Sequence, residues 1–213
     1  MPSVAIADAL APFILTLDIG SSSIRAMIFD ARARSIANLE ARELHTFHTK
    51  ADGTAIDDAG QVLQRSVKVI DQLINMLGDR SADIRAVAID TYAMNMLGLD
   101  RSGSPITPIF TYADTRPTED AAQLREQFNE ASVHDRTGCP IRSGYLPARF
   151  MWLKRTQPQV LSSVHRWISI GEYLLDQFLG RSSVSPSIAS WSGLLNRRTL
   201  NWDKAWFKAL PFS

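Results

Sequence analysis

The stretch FILTLDIGSSSIRAMIFD, residues 13–30, constrains this chain more than any other. Two apolar runs of strand length flank Gly20, Ser21, Ser22 and Ser23, so the chain must double back there as a hairpin. The continuous apolar character of residues 13–18 marks a central strand, with Thr16 and Asp18 on one face. Residues 23–30 read as its partner, and SIANLEARELHTF (35–47) as a longer third strand nearer the edge. A hairpin needs only two turn residues. The serine run, with a carboxylate at its mouth, therefore asks for a chemical reason as well as a structural one.

Beyond a polar loop holding Gly53 and Asp57, the pattern changes to helical spacing. Val62, Leu63, Val67, Ile70, Leu73, Ile74 and Leu77 recur every three or four residues, with Asp58 placed to cap the start and Gly78 to end it. IRAVAID (84–90) returns to a buried strand, and the next segment reads as two short strands around Ser102-Gly103. Pro117 opens a helix to about Phe128, with Glu119 and Asp120 at its positive end. PARFMWLKRTQP is a helical piece that stops before Pro158, and RWIS a brief strand. SIGEYLLDQFLG carries a capping box at Ser169 and Glu172, a staple of Ile168 and Tyr173, and a stop at Gly180. The polar, Trp-rich tail has a short amphipathic helix near 203–209. A hairpin, a third strand, then alternating helices and strands predict an α/β layer fold with a mixed central sheet flanked by helices.

Composition narrows the function. With 213 residues, 45% of them hydrophobic, the chain can bury a sizeable core. A formal net charge of +1 supplies no general field for nucleic acid or anionic membrane, so neither is an expected partner. The single Cys139 rules out an internal disulfide framework and suits a reducing, cytoplasmic setting. The apolar run from Ala5 to Leu17 is broken by Asp8 and lacks a basic leader, so it reads as neither signal peptide nor membrane span.

In the opening turn, Gly20 frees the backbone, and the N–H groups and hydroxyls of Ser21, Ser22 and Ser23 can together form an anion-binding nest. Asp18 would then stand close to bound phosphate and act through Mg²⁺ or its water shell, since like charges repel. Arg25 adds a positive group. The plainer alternative is a polar hairpin turn with a capping Asp. Elsewhere, His45 and His48 flank Phe47 with no cysteine nearby, a poor metal pair. His134 and His165 have no nucleophile partner in view. Trp191, Trp202 and Trp206 suit packing of the tail better than a stacking platform.

LDIGSSSIRAMIFD resembles the first phosphate motif of the FGGY carbohydrate kinases, within the actin-like, ribonuclease-H-like superfamily. The likeness continues in order through AIDTYAMNMLGLDRSGSPITPIFTYADTRP, TGCPIRSGYLPARFMWLKRTQP, RWISIGEYLLDQFLG and SIASWSGLLNRRTLNWD, and its flavour is gluconokinase-like. The resemblance implies ATP-dependent phosphorylation of a hydroxyl on a sugar, sugar acid or polyol, with Mg²⁺ bridging the phosphates. It assigns Asp18 to the metal and catalysis, and Gly20, Ser21, Ser22, Ser23 and Arg25 to the phosphates. Asp114 and Arg116 match the family's aromatic-x-Asp-x-Arg segment beside the sugar pocket, with Tyr112 in place of its usual Trp. Carboxylate, guanidinium and ring could hold hydroxyls and stack on a sugar face. Read without the family, Asp114 and Arg116 are a helix cap and a surface ion pair. After Asp90 and Thr91, gluconokinase-like members carry an aromatic, a Trp and a His; here stand Tyr92, Ala93 and Met94. Asn95 and Tyr145 remain as polar contacts for the sugar, and Met96 and Leu97 read as core.

The expected organisation is a tail over 1–12 and the family's N-terminal, sugar-binding domain over 13–213. The ATP-binding domain and the family's catalytic base, in a Gly-Asp segment after this lobe, fall outside the chain. The lobe alone is therefore expected to be inactive and, with its inter-lobe surface uncovered, to self-associate, with a homodimer as the simplest form. Two other readings share the fold. Asp18 and Asp90 could hold two metals in a ribonuclease-H-like nuclease, or the chain could be a non-catalytic, ligand-binding remnant.

Overall fold

The computed structural model describes residues 3–210; Phe212, which reads as exposed in the sequence, lies outside them. In chain order the strands are β1 (Ser3–Val4), β2 (Phe13–Ile19), β3 (Ser23–Phe29), β4 (Ser35–Leu44), β5 (His48–Thr49), β6 (Ala55–Asp57), β7 (Ile84–Thr91), β8 (Leu97–Leu99), β9 (Ile109–Phe110), β10 (Arg166–Ile168), β11 (Leu195–Asn196) and β12 (Asn201–Trp202). The helices are α1 (Ala59–Leu77), α2 (Thr118–Gln127), α3 (Glu130–Thr137), α4 (Leu146–Thr156), α5 (Pro158–Ser163), α6 (Ile170–Leu179), α7 (Pro186–Ser190) and α8 (Lys204–Ala209). They fall into two compact units, Met1–Phe47 with Gly60–Tyr92, and His48–Ala59 with Ala93–Ser213.

The first unit is built on a five-stranded sheet in the order β1-β4-β3-β2-β7. β2, β3 and β4 run antiparallel, while β7 lies parallel to β2. This is the mixed sheet the sequence predicts. Phe13, Leu15, Leu17 and Ile19 alternate with more exposed residues, and Ile24, Ala26 and Ile28 continue the same buried face on β3. Residues 1–12, expected as a tail, instead supply a strand: Ser3 and Val4 pair in parallel with Ser35 and Ile36. β4 ends at Leu44, short of the expected Phe47, and His45 then donates its N–H to the Ser22 carbonyl at 3.1 Å.

α1 buries Val62, Ser66, Val69, Leu73 and Leu77, a seam one step round from the expected one; Val67 and Ile74 face out. Ser66 can stand in the seam because its hydroxyl donates to the Val62 carbonyl at 2.7 Å. α1 ends before Gly78, as expected, at φ +56°.

The second unit packs around Met96, Phe110, Leu124, Phe150, Leu153 and Trp206. Its strands are short and pair far along the chain: β6 with β9, and β8 with β10. α6 carries both halves of the expected capping box, Ser169 and Glu172. α3, α5, α7 and the β11–β12 pair were not foreseen. Trp206 is core, but Trp191 and Trp202 correct the expectation that all three tail tryptophans are packed: they are 45% and 48% exposed. Among the described residues no helix is long and apolar enough to cross a membrane.

Candidate functional site

Within the first unit, the hairpin register places Asp18 opposite Arg25 on β3 and Asp90 on β7. All three residues stand at the ends of their strands beside the serine turn. Arg25 donates to Asp18 Oδ2 at 3.0 Å, both side chains being about two-fifths exposed. The turn closes when the Gly20 N–H donates to the Ser23 carbonyl at 2.9 Å. A Cβ added at Gly20 would lie 3.0 Å from that same oxygen, so the tight turn favours glycine. Among the described residues, the N–H groups of Ser21 and Ser22 have no backbone acceptor, and the Ser22 side of the turn is exposed. Free donors on an open turn are what a nest for phosphate oxygens requires. Two carboxylates in register give hard oxygen ligands of the kind Mg²⁺ takes, the rest of its shell being water and phosphate. The residues present fit the group.

In the second unit, the YADTR segment is anchored from below. Gly53, at φ +90°, approaches so closely that a Cβ there would lie 2.4 Å from Thr115 Oγ1, and the Gly53 carbonyl accepts the Thr115 N–H at 2.9 Å. Thr111 Oγ1 donates to the Ala55 carbonyl at 2.7 Å. Between these anchors Asp114 is wholly buried. Its Oδ1 accepts from the Arg116 N–H and Nε at 3.2 and 2.9 Å, and its Oδ2 from Arg116 Nη2 and Arg149 Nη1 at 2.6 and 3.1 Å. Neither plain reading of this pair holds. Pro117, not Asp114, caps α2, and the ion pair is interior.

Arg149, on α4, is the residue sequence reasoning missed. It is fully buried, its Nη2 donates to the Thr111 carbonyl at 2.9 Å, and its guanidinium lies 5.5 Å from the Phe110 ring. Burial pushes its pKa down to about 10, with Asp114 opposing the fall. The signal was available: an arginine amid Ala148, Phe150, Trp152 and Leu153 on a buried helix must have a partner. Arg116 stacks 4.4 Å from the Trp152 ring and keeps partial exposure.

The remaining expected contacts separate. Tyr112 is 41% exposed. Asn95 is nearly buried, and its Oδ1 accepts the Ile170 N–H at 2.8 Å, pinning the start of α6. Tyr145 turns toward Cys139, within hydrogen-bonding reach of its thiol. Met94, which stands where gluconokinase-like members carry a His, has φ +56°, a left-handed backbone uncommon for its type. A Cβ built on Gly144 would sit 3.9 Å from Met94 Sδ and 3.3 Å from the Tyr112 carbonyl, so Gly144 lies close to both. Met96 and Leu97 are core, as expected.

Residues 13–213 match the profile of the FGGY family of carbohydrate kinases, N-terminal domain. A gluconokinase of Bacillus subtilis is 23% identical over 192 residues, 90% of this chain and 37% of the relative. An autoinducer-2 kinase of Yersinia pestis is 28% identical over 194 residues, 90% of this chain and 36% of the relative. The chain thus spans little more than a third of the length of these curated relatives. Among solved structures, a gluconate kinase from Lactobacillus acidophilus superposes with a TM-score of 0.87 at 20% identity, covering 94% of this chain and 40% of that one. An ADP-bound glycerol kinase from Plasmodium falciparum gives 0.80 at 17%, covering 99% and 41%.

Proposed function

Since this chain belongs to the FGGY family of carbohydrate kinases, through their N-terminal domain, we propose that it is the sugar-binding lobe of an ATP-dependent kinase that phosphorylates a hydroxyl of a sugar, sugar acid or polyol. The observation that carries this reading is the serine turn with unspent N–H groups beside the in-register carboxylates Asp18 and Asp90. On this reading the Ser21 and Ser22 amides bind terminal phosphate oxygens. Asp18 would hold Mg²⁺, which neutralises charge on the transferred phosphoryl group. Arg25 keeps Asp18 oriented and offsets its charge while the site is open. The Asp18–Asp90 pairing also suits the nuclease alternative, but membership of a carbohydrate-kinase family favours phosphoryl transfer to a hydroxyl over phosphodiester hydrolysis. Tyr112 supplies the exposed ring for a sugar face, while Asp114 acts at one remove by holding Arg116 and the loop. On this reading an ATP-binding lobe and a catalytic base complete the enzyme from outside these 213 residues, and the lone Cys139 suits a cytoplasmic enzyme.

The test is ATP-dependent phosphorylation of a sugar, sugar-acid and polyol panel by the full-length protein, with and without Asp18→Asn. Loss of a charge that acts on the transition state should lower turnover by roughly 10²- to 10³-fold. The melting temperature should hardly move, because the exposed Asp18–Arg25 pair contributes at most about 1 kcal/mol. Unchanged turnover in the variant, or a wild type that phosphorylates none of the panel, refutes the reading.

A further inference from the structure

We propose that His45 and Arg65 are positioning residues for the serine turn: Arg65 anchors the His45 ring to α1, and His45 in turn holds Ser22 with its N–H free for a phosphate oxygen. The inference rests on the sugar-kinase reading above and extends it to two residues outside the turn. All the groups it involves lie within the first unit. β3 and β4 stay paired as far as Ser23 and Leu44. The next rung, Ser22 with His45, is only half made. Two residues that face each other in a hydrogen-bonded antiparallel pair exchange two bonds. Here the His45 N–H donates to the Ser22 carbonyl at 3.1 Å, while the Ser22 N–H has no backbone acceptor among the described residues. The half rung ties the turn to β4 and leaves the Ser22 N–H unspent.

The strand has ended at Leu44, so residue 45 depends on its side chain to stay against the turn. The His45 ring is 1% exposed, and its Nδ1 lies 2.9 Å from Arg65 Nη1. A guanidinium only donates, so Nδ1 is the acceptor and the ring carries its proton on Nε2. Arg65 stands on a 19-residue helix whose Val62, Val69 and Leu73 are fully buried, a rigid base. Its Nη2 also donates to Gln61 Oε1 at 3.2 Å. The His45 ring meets the Phe47 ring edge-on with centroids 6.0 Å apart, and Phe47 meets Tyr92 at 5.1 Å. The Tyr92 N–H donates to the Ile19 carbonyl at 3.0 Å. The turn is thus braced at Ser22 by His45 and next to Gly20 by Tyr92. Phosphoryl transfer is mostly positioning, and a displacement of about 1 Å in a group that holds the phosphates can cost up to about 10²-fold.

The test is steady-state kinetics of the full-length protein with MgATP and a compound of the panel that it phosphorylates. His45→Leu removes the acceptor and keeps an apolar body in the buried space. Its kcat/KM for MgATP should fall about tenfold, with KM for the sugar within about twofold of wild type. His45→Asn, whose amide oxygen takes the place of Nδ1, should stay within about threefold of wild type in kcat/KM for MgATP. Arg65→Met leaves the ring in place and should lower the same constant at least about threefold. The double variant His45→Leu/Arg65→Met should be no slower than His45→Leu, because both changes cut one bond. If His45→Leu does not fold, Arg65→Met decides alone. Unchanged MgATP efficiency in the Leu and Met variants, a sugar KM that rises in step, or an Asn variant as slow as the Leu one overturns the inference and leaves the kinase reading standing. A double variant much slower than His45→Leu also overturns it. A wild type that phosphorylates none of the panel overturns both.

Discussion

Replacing Asp114 with Asn tests whether the YADTR segment is held by a buried charge cluster. Two guanidiniums share this carboxylate, and one of them, on Arg149, has no solvent exposure. Removing one partner from a buried ion pair costs about 3–5 kcal/mol, because the other charge stays buried and unpaired. Asn keeps an acceptor oxygen, so about 3 kcal/mol is expected for Asp114→Asn. Arg149→Met behaves differently. Burial lowers the pKa of this guanidinium despite Asp114 beside it, so part of its desolvation stays uncompensated. That is regained when the charge goes, against the loss of two charge-assisted hydrogen bonds of about 1.5–3 kcal/mol each. Arg149→Met should therefore cost less than Asp114→Asn, since Arg116 still satisfies Asp114. The double variant should therefore be more stable than Asp114→Asn alone, with a coupling of at least about 2 kcal/mol. All five tryptophans (152, 167, 191, 202 and 206) lie in the second unit, so their fluorescence in urea reports that unit's unfolding free of the first. A loss under about 1 kcal/mol for Asp114→Asn, or a double variant as unstable as the sum of the singles, refutes the reasoning.

Two further outcomes follow from perturbed groups. Asp30 is held below the usual carboxylate range, chiefly by the Arg34 guanidinium and against its own desolvation, with the N–H groups of Arg34, Arg32 and Leu10 assisting. A depressed carboxyl stabilises the fold above its unfolded pKa near 3.9, and that stability drains as pH falls; Asp30→Asn should thus melt well below wild type at pH 7, the gap narrowing at pH 3, and a gap independent of pH would contradict this. Burial pushes the Cys139 thiol above its usual range, and its Sγ lies 3.1 Å from the Ser190 carbonyl; a colorimetric thiol reagent should react at least about tenfold more slowly with the native chain than in urea, and equal rates would show the thiol to be accessible.

Elements whose signals are local were readable in advance. The β2–β3 hairpin follows from two apolar runs and a glycine-serine turn, and α6 from a capping box written in four consecutive residues. α3 shows a local signal that was present and missed. Asn129 caps it by accepting the Ser132 N–H, and Gly138 at φ +77° ends it, yet it buries only Val133 and Thr137. With so little apolar surface, no periodicity announced it. The pairings of the two- and three-residue strands were beyond reach for another reason: β6 pairs with β9 and β8 with β10 across roughly 50 to 70 residues, and such short runs carry no period of their own. On α1 the error was one of face. Ser66 reads as outward by type, but back-bonding to Val62 lets it occupy the seam and turns Val67 and Ile74 outward.

The site shows the same division between local and distant information. Asp18 and its serine turn form one continuous stretch, so both their place in the fold and their chemistry could be read together. Asp114 was legible as chemistry but not as geometry, because the residue that decides its role, Arg149, lies 35 positions away. With Arg149 absent from view, the carboxylate looks like a hydroxyl acceptor for a sugar. With it present, the Asp114 carboxylate accepts three hydrogen bonds from Arg116 and one from Arg149, which together hold the loop after β9 in place. On the proposed reading, recognition would fall to what that loop displays, the exposed Tyr112 ring. A buried carboxylate held by two arginines cannot change partner when a ligand arrives without leaving a guanidinium unpaired. The cluster therefore fixes where Tyr112 stands before any substrate binds, and the ordering cost of the loop is met in folding rather than in binding.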